Sequence, residues 1–179
     1  MRIVLCIVLS VVLINDFCHG ADWPQWRGAN RDGAWTETGI VERFDSSEIE
    51  AKWRVPISAG YSGPTVTASR VYVHDRVTDP EQIERVHCFD WQTGEKIWTH
   101  AYPCRYEGFG YRAGPRASVL VENNRAYSFG ATGNLHCFKA ADGTVLWERD
   151  LLAQYKIRMP NWGIAASPMS APPMLFMKP

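Results

Sequence analysis

The sequence predicts an all-β fold built from repeated four-stranded antiparallel units, and two observations support this prediction. The stretch "HCFDWQTGEKIW" at residues 87–98 is echoed by "HCFKAADGTVLW" at residues 136–147, 49 positions later. In both copies apolar and polar residues alternate with period two, which indicates strands with one buried side. Beyond the N-terminal apolar run, no window of helical length has the spacing of an amphipathic helix.

The strands of each unit are predicted from this alternation and from the turn residues between them. They cover residues 64–67, 70–74, 84–90 and 96–100 in the first unit, and 117–121, 125–129, 134–139 and 145–149 in the second. Asp142 and Gly143 both favour positive φ, so we expect both at the centre of a hairpin turn. Residues 51–55 resemble the last strand of each unit and are expected to form a strand. A third copy begins at "GIAASPM", residues 163–169.

A four-stranded repeat of 40 to 50 residues that ends in a turn and a Trp is typical of a β-propeller blade. One such sheet cannot bury both faces alone, so each copy provides the surface on which the next copy packs. We therefore predict a partial propeller, with two complete blades at about residues 60–101 and 111–150 and the ends of two others. The residues expected to dock neighbouring blades are Trp53, Gly94, Trp98, Gly143 and Trp147.

The N-terminal residues 1–20 have the pattern of a secretory signal peptide. Arg2 precedes an apolar run from Ile3 to Ile14, which is too short to span a bilayer, and we expect cleavage after Gly20. The chain is therefore expected to be exported to the periplasm or the cell envelope, without a membrane span.

The remaining chain divides into three parts. Residues 21–50 are predicted to form a strap whose aromatic side chains cover one face of the propeller, and residues 51–168 hold the repeats. Residues 169–179 read "MSAPPMLFMKP", and Pro172 and Pro173 cannot continue a central strand. This segment is therefore predicted to be an aberrant tail, as a truncated reading frame would produce.

Charge and cysteine content exclude two classes of protein. The 19 basic and 19 acidic residues cancel, so the chain lacks the electrostatic footprint of a protein that binds nucleic acid or an anionic membrane. After the signal, only Cys88, Cys104 and Cys137 remain, and this odd number gives no disulfide framework. Cys88 and Cys137 occupy equivalent repeat positions, too far apart to pair, and are expected to be small buried residues.

The "DWQTGEKIW" stretch at residues 90–98 resembles the tryptophan-docking motif of pyrroloquinoline-quinone (PQQ)-type repeat propellers. "KAADGTVLW" at residues 139–147 is a looser version, with Lys139 in the Asp position. "ADWPQWRGANRDG", "GYSGPTV", "GPRASV" and "WGIAASP" are similar to secreted PQQ-like repeat proteins that are named after the propeller subunit of the outer-membrane assembly machinery. The resemblance implies a non-catalytic scaffold or protein-binding module.

Enzymes with this repeat bind the quinone and Ca²⁺ on the propeller axis, with an Asp as base and often two adjacent cysteines. This chain has no adjacent cysteines and lacks most of the blades that would line such a site. We therefore carry over no catalytic or cofactor-binding residue, and expect neither PQQ nor Ca²⁺. Two alternatives stay open: the N-terminal fragment of a PQQ-dependent quinoprotein dehydrogenase, and a non-functional truncated fragment.

The pairs His87-Cys88 and His136-Cys137 contain the ligand types of a zinc site. Neighbours in a strand point to opposite faces of the sheet, so a His and the Cys beside it cannot reach the same ion. We therefore predict no metal site and assign both pairs to packing.

The connection "YEGFGYRAGPR" at residues 106–116 joins the two predicted blades at the rim of the propeller, where such folds contact partners. Its Gly108 and Gly110 do not have the spacing of a phosphate-binding loop. Two roles are open for this segment: packing between blades, or binding of a protein partner together with the blade edges. The candidate partner-binding residues are Tyr106, Phe109, Tyr111, Arg112 and Arg116.

Overall fold

A computed structural model describes residues 20–171 and 174–177, and its two large sheets have the predicted architecture. The first blade contains β1 (Thr65–Thr67), β2 (Arg70–Val77), β3 (Ile83–Asp90) and β4 (Lys96–Pro103). The second contains β5 (Leu120–Glu122), β6 (Arg125–Phe129), β7 (Asn134–Lys139) and β8 (Val145–Asp150). Each sheet is antiparallel with its strands in sequence order, so the predicted all-β fold of four-stranded blades is confirmed.

Two further elements follow the second blade. A short helix, α1 (Leu151–Tyr155), begins where the Asp150 side chain accepts a hydrogen bond from the Ala153 N–H. The strands β9 (Pro168–Ala171) and β10 (Met174–Met177) then pair in antiparallel register. The sequence prediction for residues 169–179 did not include this pairing. The two prolines fall between the paired strands in the sequence, so neither strand has to accommodate them.

The turns between strands depend on left-handed backbone conformations. Ala68 and Ser69, between β1 and β2, both have positive φ, as do Asn123 and Asn124 between β5 and β6. Positive φ at both central residues matches the right-handed twist of a hairpin. Between β7 and β8 only Gly143 has positive φ, 74°, which corrects the expectation for Asp142. This turn is longer than a two-residue hairpin turn. Its Gly143 N–H donates to the carbonyl of Lys139, four residues earlier, at 2.9 Å.

The main hydrophobic core lies between the two blades. Its buried members are Tyr72, Val86, Cys88 and Trp98 of the first blade and Val119, Ala126, Phe138 and Ala140 of the second. The ring of Trp98 has its centroid 6.0 Å from that of Tyr72 and 5.6 Å from that of Phe138. Large aromatic rings bury about 150–250 Å² each, so these contacts supply much of the packing between the blades.

Residues 51–55 do not form the strand that their sequence predicts. A strand needs a neighbour for its backbone hydrogen bonds, and within residues 20–171 no complete sheet precedes β1. The segment instead leads to an isolated bridge between Ala59 and Arg76 of β2. Its Trp53 nevertheless packs on the turn between β3 and β4, at Gly94.

The N-terminal segment crosses the first strands of successive sheets. The Trp23 backbone exchanges two hydrogen bonds with Val66 of β1, at 2.6 and 3.0 Å, and the Pro24 carbonyl accepts from Val121 of β5 at 2.8 Å. Arg31 donates to the Pro168 carbonyl of β9 at 3.1 Å. The signal peptide predicted at residues 1–20 lies, except for Gly20, outside the described residues. In the part of the chain that the structure describes, no helix has the length and apolar character needed to cross a bilayer.

Candidate functional site

Three connections, one leading into each of the three successive sheets, meet at one end of the sheets and display exposed aromatic rings. Tyr61 precedes β1, Tyr111 lies between β4 and β5, and Trp162 lies between α1 and β9. The ring centroids of Tyr61 and Tyr111 are 6.3 Å apart, and those of Tyr111 and Trp162 are 4.9 Å apart. These side chains are 51%, 62% and 59% exposed, respectively. We refer to these three residues as the aromatic ladder.

Backbone hydrogen bonds join the three connections to one another. The Tyr61 N–H donates to the Pro115 carbonyl at 2.8 Å, and the Gly110 N–H donates to the Asn161 carbonyl at 2.9 Å. Gly114 permits the first contact, because a Cβ atom there would lie only 2.9 Å from the Cα of Gly60. The aromatic ladder therefore stands on a connected backbone surface.

Arg116 fixes the conformation of the middle connection. Its guanidinium donates to the carbonyls of Gly114 and Gly110 at 2.7 and 2.9 Å, and also to that of Tyr111. The same group lies 5.5 Å from the ring centroid of Tyr61, a cation–π distance. Tyr111 has a φ of 54°, which is strained for a bulky residue. Strained backbone of this kind is found more often at functional sites than elsewhere.

The structure divides the predicted partner-binding residues into two groups. Tyr106 and Phe109 are only 3% and 5% exposed and pack on each other, so the expectation that they contact a partner is corrected to a packing role. Tyr111 and Arg112 are exposed, while Arg116 is half-buried under the ladder. The Arg112 carbonyl accepts from the buried Arg76 at 2.6 Å, which anchors this residue to β2.

Tyr61 and Trp162 were not predicted as site residues. A signal for Tyr61 was present, because "GYSGP" and "GYRAGP" both place a Gly-Tyr pair shortly before a Gly-Pro pair. Trp162 is preceded by Asn161 and followed by Gly163, and its role depends on its contact with Tyr111 rather than on a motif.

A buried carboxylate lies between the blades beneath this surface. Glu84 of β3 is completely buried and accepts hydrogen bonds from the hydroxyls of Tyr102 and Tyr106. It also accepts from the Ala131 N–H of the second blade at 3.1 Å, and His74 Nε2 lies 3.6 Å away. We refer to Glu84 with these four residues as the Glu84 cluster. Because its members come from both blades, the cluster joins them.

The electrostatics of the Glu84 cluster favour a structural role. Burial, followed by the charge of Glu84, raises the pKa of Tyr102 and of Tyr106 well above the usual value. Burial also lowers the pKa of His74. At neutral pH the two hydroxyls are therefore protonated donors to the carboxylate, and His74 is uncharged.

A second polar row runs across the opposite face of the first blade. His87 Nε2 lies 3.1 Å from Asp75 and its Nδ1 lies 2.8 Å from the Thr99 hydroxyl. Burial opposes ionisation of Asp75, but hydrogen bonds from His87, Arg85 and the Ser58 N–H outweigh it and hold the pKa of this carboxyl well below its usual range. The order of groups resembles a hydrolytic triad. However, Arg85 occupies both Asp75 oxygens at 2.9 and 2.6 Å, so we assign the row to structure.

The His-Cys pairs separate as strand alternation requires. Cys88 and Cys137 are buried free thiols, with Cys88 in the core between the blades. His87 faces Asp75 on the other side of the sheet. Among residues 20–171 no three His, Cys, Asp or Glu side chains are placed to hold a metal ion.

Two of the predicted docking tryptophans lie on turn glycines. Trp53 contacts Gly94 and Trp98 contacts Gly143, and each indole Nε1 donates to a nearby carbonyl, of Trp91 at 2.9 Å and of Ala140 at 3.0 Å. Trp147 is half-buried against Tyr127, with ring centroids 6.0 Å apart.

Comparisons with known proteins agree with this geometry. Residues 82–163 match a family model described as "Outer membrane protein assembly factor BamB". BamB from Moraxella catarrhalis is similar with a TM-score of 0.51 and 18% identity, over 72% of this chain and 37% of that chain. No curated protein matches the sequence.

Two dehydrogenase structures are also similar. The quinohemoprotein alcohol dehydrogenase from Comamonas testosteroni has a TM-score of 0.46 and 21% identity, over 62% of this chain and 16% of that chain. A europium-containing methanol dehydrogenase has a TM-score of 0.49 and 14% identity, over 66% of this chain and 20% of that chain.

The chain therefore spans less than two fifths of the length of these solved structures. At 18% identity, the likeness to BamB is evidence for the fold alone. Together with the repeated blades, it supports a partial β-propeller, and residues 82–163 are similar to the family model of the outer-membrane assembly factor.

Proposed function

We propose that the chain is a non-catalytic module of the cell envelope that binds a protein partner through the aromatic ladder. One observation carries this proposal: three exposed aromatic side chains from three successive connections contact one another at one end of the blades. Exposed apolar surface that is contiguous, rather than scattered, is typical of interaction sites.

The composition and rigidity of the surface suit protein binding. Tyr, Trp and Arg are the residues that most often dominate the binding energy of protein interfaces, and the exposed Arg112 follows Tyr111 in the sequence. The hydrogen bonds from Tyr61 to Pro115 and from Gly110 to Asn161 hold the connections in place. A surface that is already ordered loses less conformational entropy when it binds.

The buried ionisable groups support a non-catalytic role. Glu84 and Asp75 each accept three or more internal hydrogen bonds, so neither carboxylate is available to a substrate. The signal-like sequence of residues 1–20 and the family description as an outer-membrane assembly factor support the envelope as the location.

Site-specific photo-crosslinking in the source organism tests the proposal. A photoreactive residue replaces Arg112, next to the ladder, and in a matched control replaces Glu95, an exposed residue in the turn between β3 and β4. We expect a discrete adduct of defined mass from position 112 and none from position 95. The combined variant Tyr111→Ala and Trp162→Ala should reduce the adduct at least fivefold.

The thermal melt of the combined variant separates loss of binding from loss of folding. Both side chains are more than half exposed, so we expect the melting temperature to stay within about 2 °C of the parent. Equal adducts from positions 112 and 95, or an undiminished adduct in a folded variant, would show that the ladder is not the contact surface.

A further inference from the structure

An apolar groove lies between α1 and the segment that leads into β9. It has a volume of about 250 Å³, and its lining side chains are all apolar or aromatic, among them Phe129, Leu151, Leu152, Tyr155, Ile157 and Ile164. The volume is below the range of about 300–1,000 Å³ that is usual for small-molecule sites. The groove is therefore better suited to an apolar side chain of a polypeptide.

The floor of the groove is part of a hydrophobic cluster, whereas its rim meets water. Phe129 and Leu151 are 3% and 9% exposed and belong to the same buried cluster. Tyr155 and Ile157 are 64% and 51% exposed, so large apolar side chains face the solvent along one side. Contiguous exposed apolar surface is typical of a docking site.

The groove lies on the face of the second blade that points away from the first. Ala126 of β6 belongs to the core between the blades. Phe129 is three residues further along the same strand, and residues an odd number apart in a strand point to opposite faces. The first blade therefore does not cover the groove.

Two cations adjoin the exposed side of the groove. Lys156 and Arg158 are both exposed and flank Ile157 in the sequence, and neither makes an ion pair within the described residues. Residues 151–168 contain no acidic residue, and the nearest one before them, Asp150, caps α1. A ligand that fits this groove should therefore combine apolar side chains with negative charge.

The N-terminal part of the chain contains a segment of that composition. Residues 39–50 form neither helix nor strand, and we refer to them as the acidic segment. Its large apolar side chains are 58–66% exposed: Ile40, Val41, Phe44 and Ile49. Its carboxylates are Glu42, Asp45, Glu48 and Glu50, against one cation, Arg43. Among the residues that the structure describes, none of these carboxylates is in an ion pair.

We propose that the acidic segment of one copy of this chain docks in the groove of a second copy. Its apolar side chains, Phe44 among them, enter the groove, and its carboxylates meet Lys156 and Arg158. Complementary charge favours this occupant over an uncharged one. The proposal does not depend on the aromatic ladder, because the ladder and the groove lining share no residue.

The positions of the two surfaces make the contact head-to-tail. The acidic segment leads into Trp53, which packs on Gly94 of the first blade, whereas the groove is on the outer face of the second blade. A contact between different surfaces of identical chains leaves one surface of each kind free, so further copies can add. We therefore expect association to increase continuously with concentration rather than to stop at a dimer.

Sedimentation velocity of the purified chain over a hundredfold range of concentration tests the proposal. We expect concentration-dependent association in about 50 mM NaCl that is at least threefold weaker in about 500 mM NaCl, because salt screens exposed charges. Lys156→Glu with Arg158→Glu should weaken association at least tenfold. Lys96→Glu with Arg105→Glu makes the same change of charge at two exposed residues outside the groove and should leave association unchanged.

Reversal of charge on the other surface separates loss of docking from loss of folding. Glu42→Lys with Asp45→Lys should also weaken association at least tenfold. An equimolar mixture of this variant with Lys156→Glu/Arg158→Glu should associate again, because each contact between the two variants pairs opposite charges. A parent chain that stays monomeric, or a mixture that fails to associate although both variants keep the parental melting temperature, would overturn the proposal. So would association that neither reversal weakens, because a different surface would then join the copies.

Discussion

The indole ring of Trp98 in the first blade lies on Gly143 in the second and leaves no room for a side chain there. A Cβ atom at Gly143 would be 2.6 Å from Cδ2 of Trp98, and the indole Nε1 donates to the Ala140 carbonyl at 3.0 Å. The contact repeats between Trp53 and Gly94, where a Cβ would be 2.8 Å from the ring. The same contact of a Trp with a turn Gly is thus made once between the two blades and once between the segment before β1 and the first blade.

Replacement of Trp98 by Ala should lower the free energy of unfolding by about 3–5 kcal/mol, the usual cost of deleting a buried aromatic side chain. The repeat gives Trp147 the same docking position, but this residue is only half-buried, so Trp147→Ala should cause a smaller loss. Urea denaturation of the two variants measures the difference. Equal stability of Trp98→Ala and the parent would show that the contact does not hold the blades together.

Removal of the Glu84 carboxylate should destabilise the chain by about 3 kcal/mol or more. Glu84→Ala leaves two tyrosine hydroxyls and the Ala131 N–H without their acceptor, and each buried unpaired group costs about 1–3 kcal/mol. Glu84→Gln keeps one acceptor oxygen and should cost less. Glu107→Ala, an exposed carboxylate paired with Arg105, is the control and should change stability by less than about 1 kcal/mol.

Stability should fall as the pH is lowered from about 6.5 towards 4. The pKa of His136 is about 4 in the folded chain, whereas an unfolded histidine titrates near 6.5. Between these values the unfolded chain binds more protons, so acidification favours unfolding. His74 acts in the same direction, because burial lowers its pKa as well.

The variant His136→Phe should reduce this pH dependence, since phenylalanine does not titrate. Urea denaturation at pH 7, 5.5 and 4.5 gives the slope for the parent and the variant. A parent stability that stays constant over this range would contradict the assignment of an uncharged, buried His136.

We expect no stoichiometric zinc and no bound quinone. His87 contacts Asp75 on one face of the first blade, while Cys88 packs in the core on the other face, so the pair cannot share an ion. Elemental analysis after dialysis, and an absorbance spectrum after PQQ and Ca²⁺ are added, measure both. One zinc per chain, or dye-linked alcohol oxidation with PQQ, would favour the quinoprotein or metal interpretation.

The strands could be predicted because alternation and turn residues are local signals. The predicted limits of 125–129 and 134–139 match β6 and β7, and the other strands of the two blades differ at their ends by one to three residues. Residues 51–55 have the same alternation, but a strand also requires a partner sheet, which alternation does not report. The pairing of β9 with β10 was not predicted, because two adjacent prolines in the sequence between them argue against a continued strand.

The residues of the candidate site could be predicted less well from the sequence than the strands. Tyr106 and Tyr111 lie in one aromatic connection and look equivalent in the sequence, yet one binds the buried Glu84 and the other is 62% exposed. The distinction depends on the approach of the second blade, which brings Ala131 to the same carboxylate. Tyr61 and Trp162 join the ladder through contacts between residues 50 or more positions apart.

Hydroxyl-radical footprinting of the ladder tests the central claim most directly. The purified chain and the chain in isolated envelopes are oxidised in parallel, and labelling of Tyr61, Tyr111 and Trp162 is compared with that of Trp35, which is 66% exposed on the N-terminal segment. We predict strong labelling of all four residues in the purified chain and selective protection of the three ladder residues in envelopes. Equal labelling of the ladder in both samples, with Trp35 unchanged, would contradict a role for this surface in partner binding.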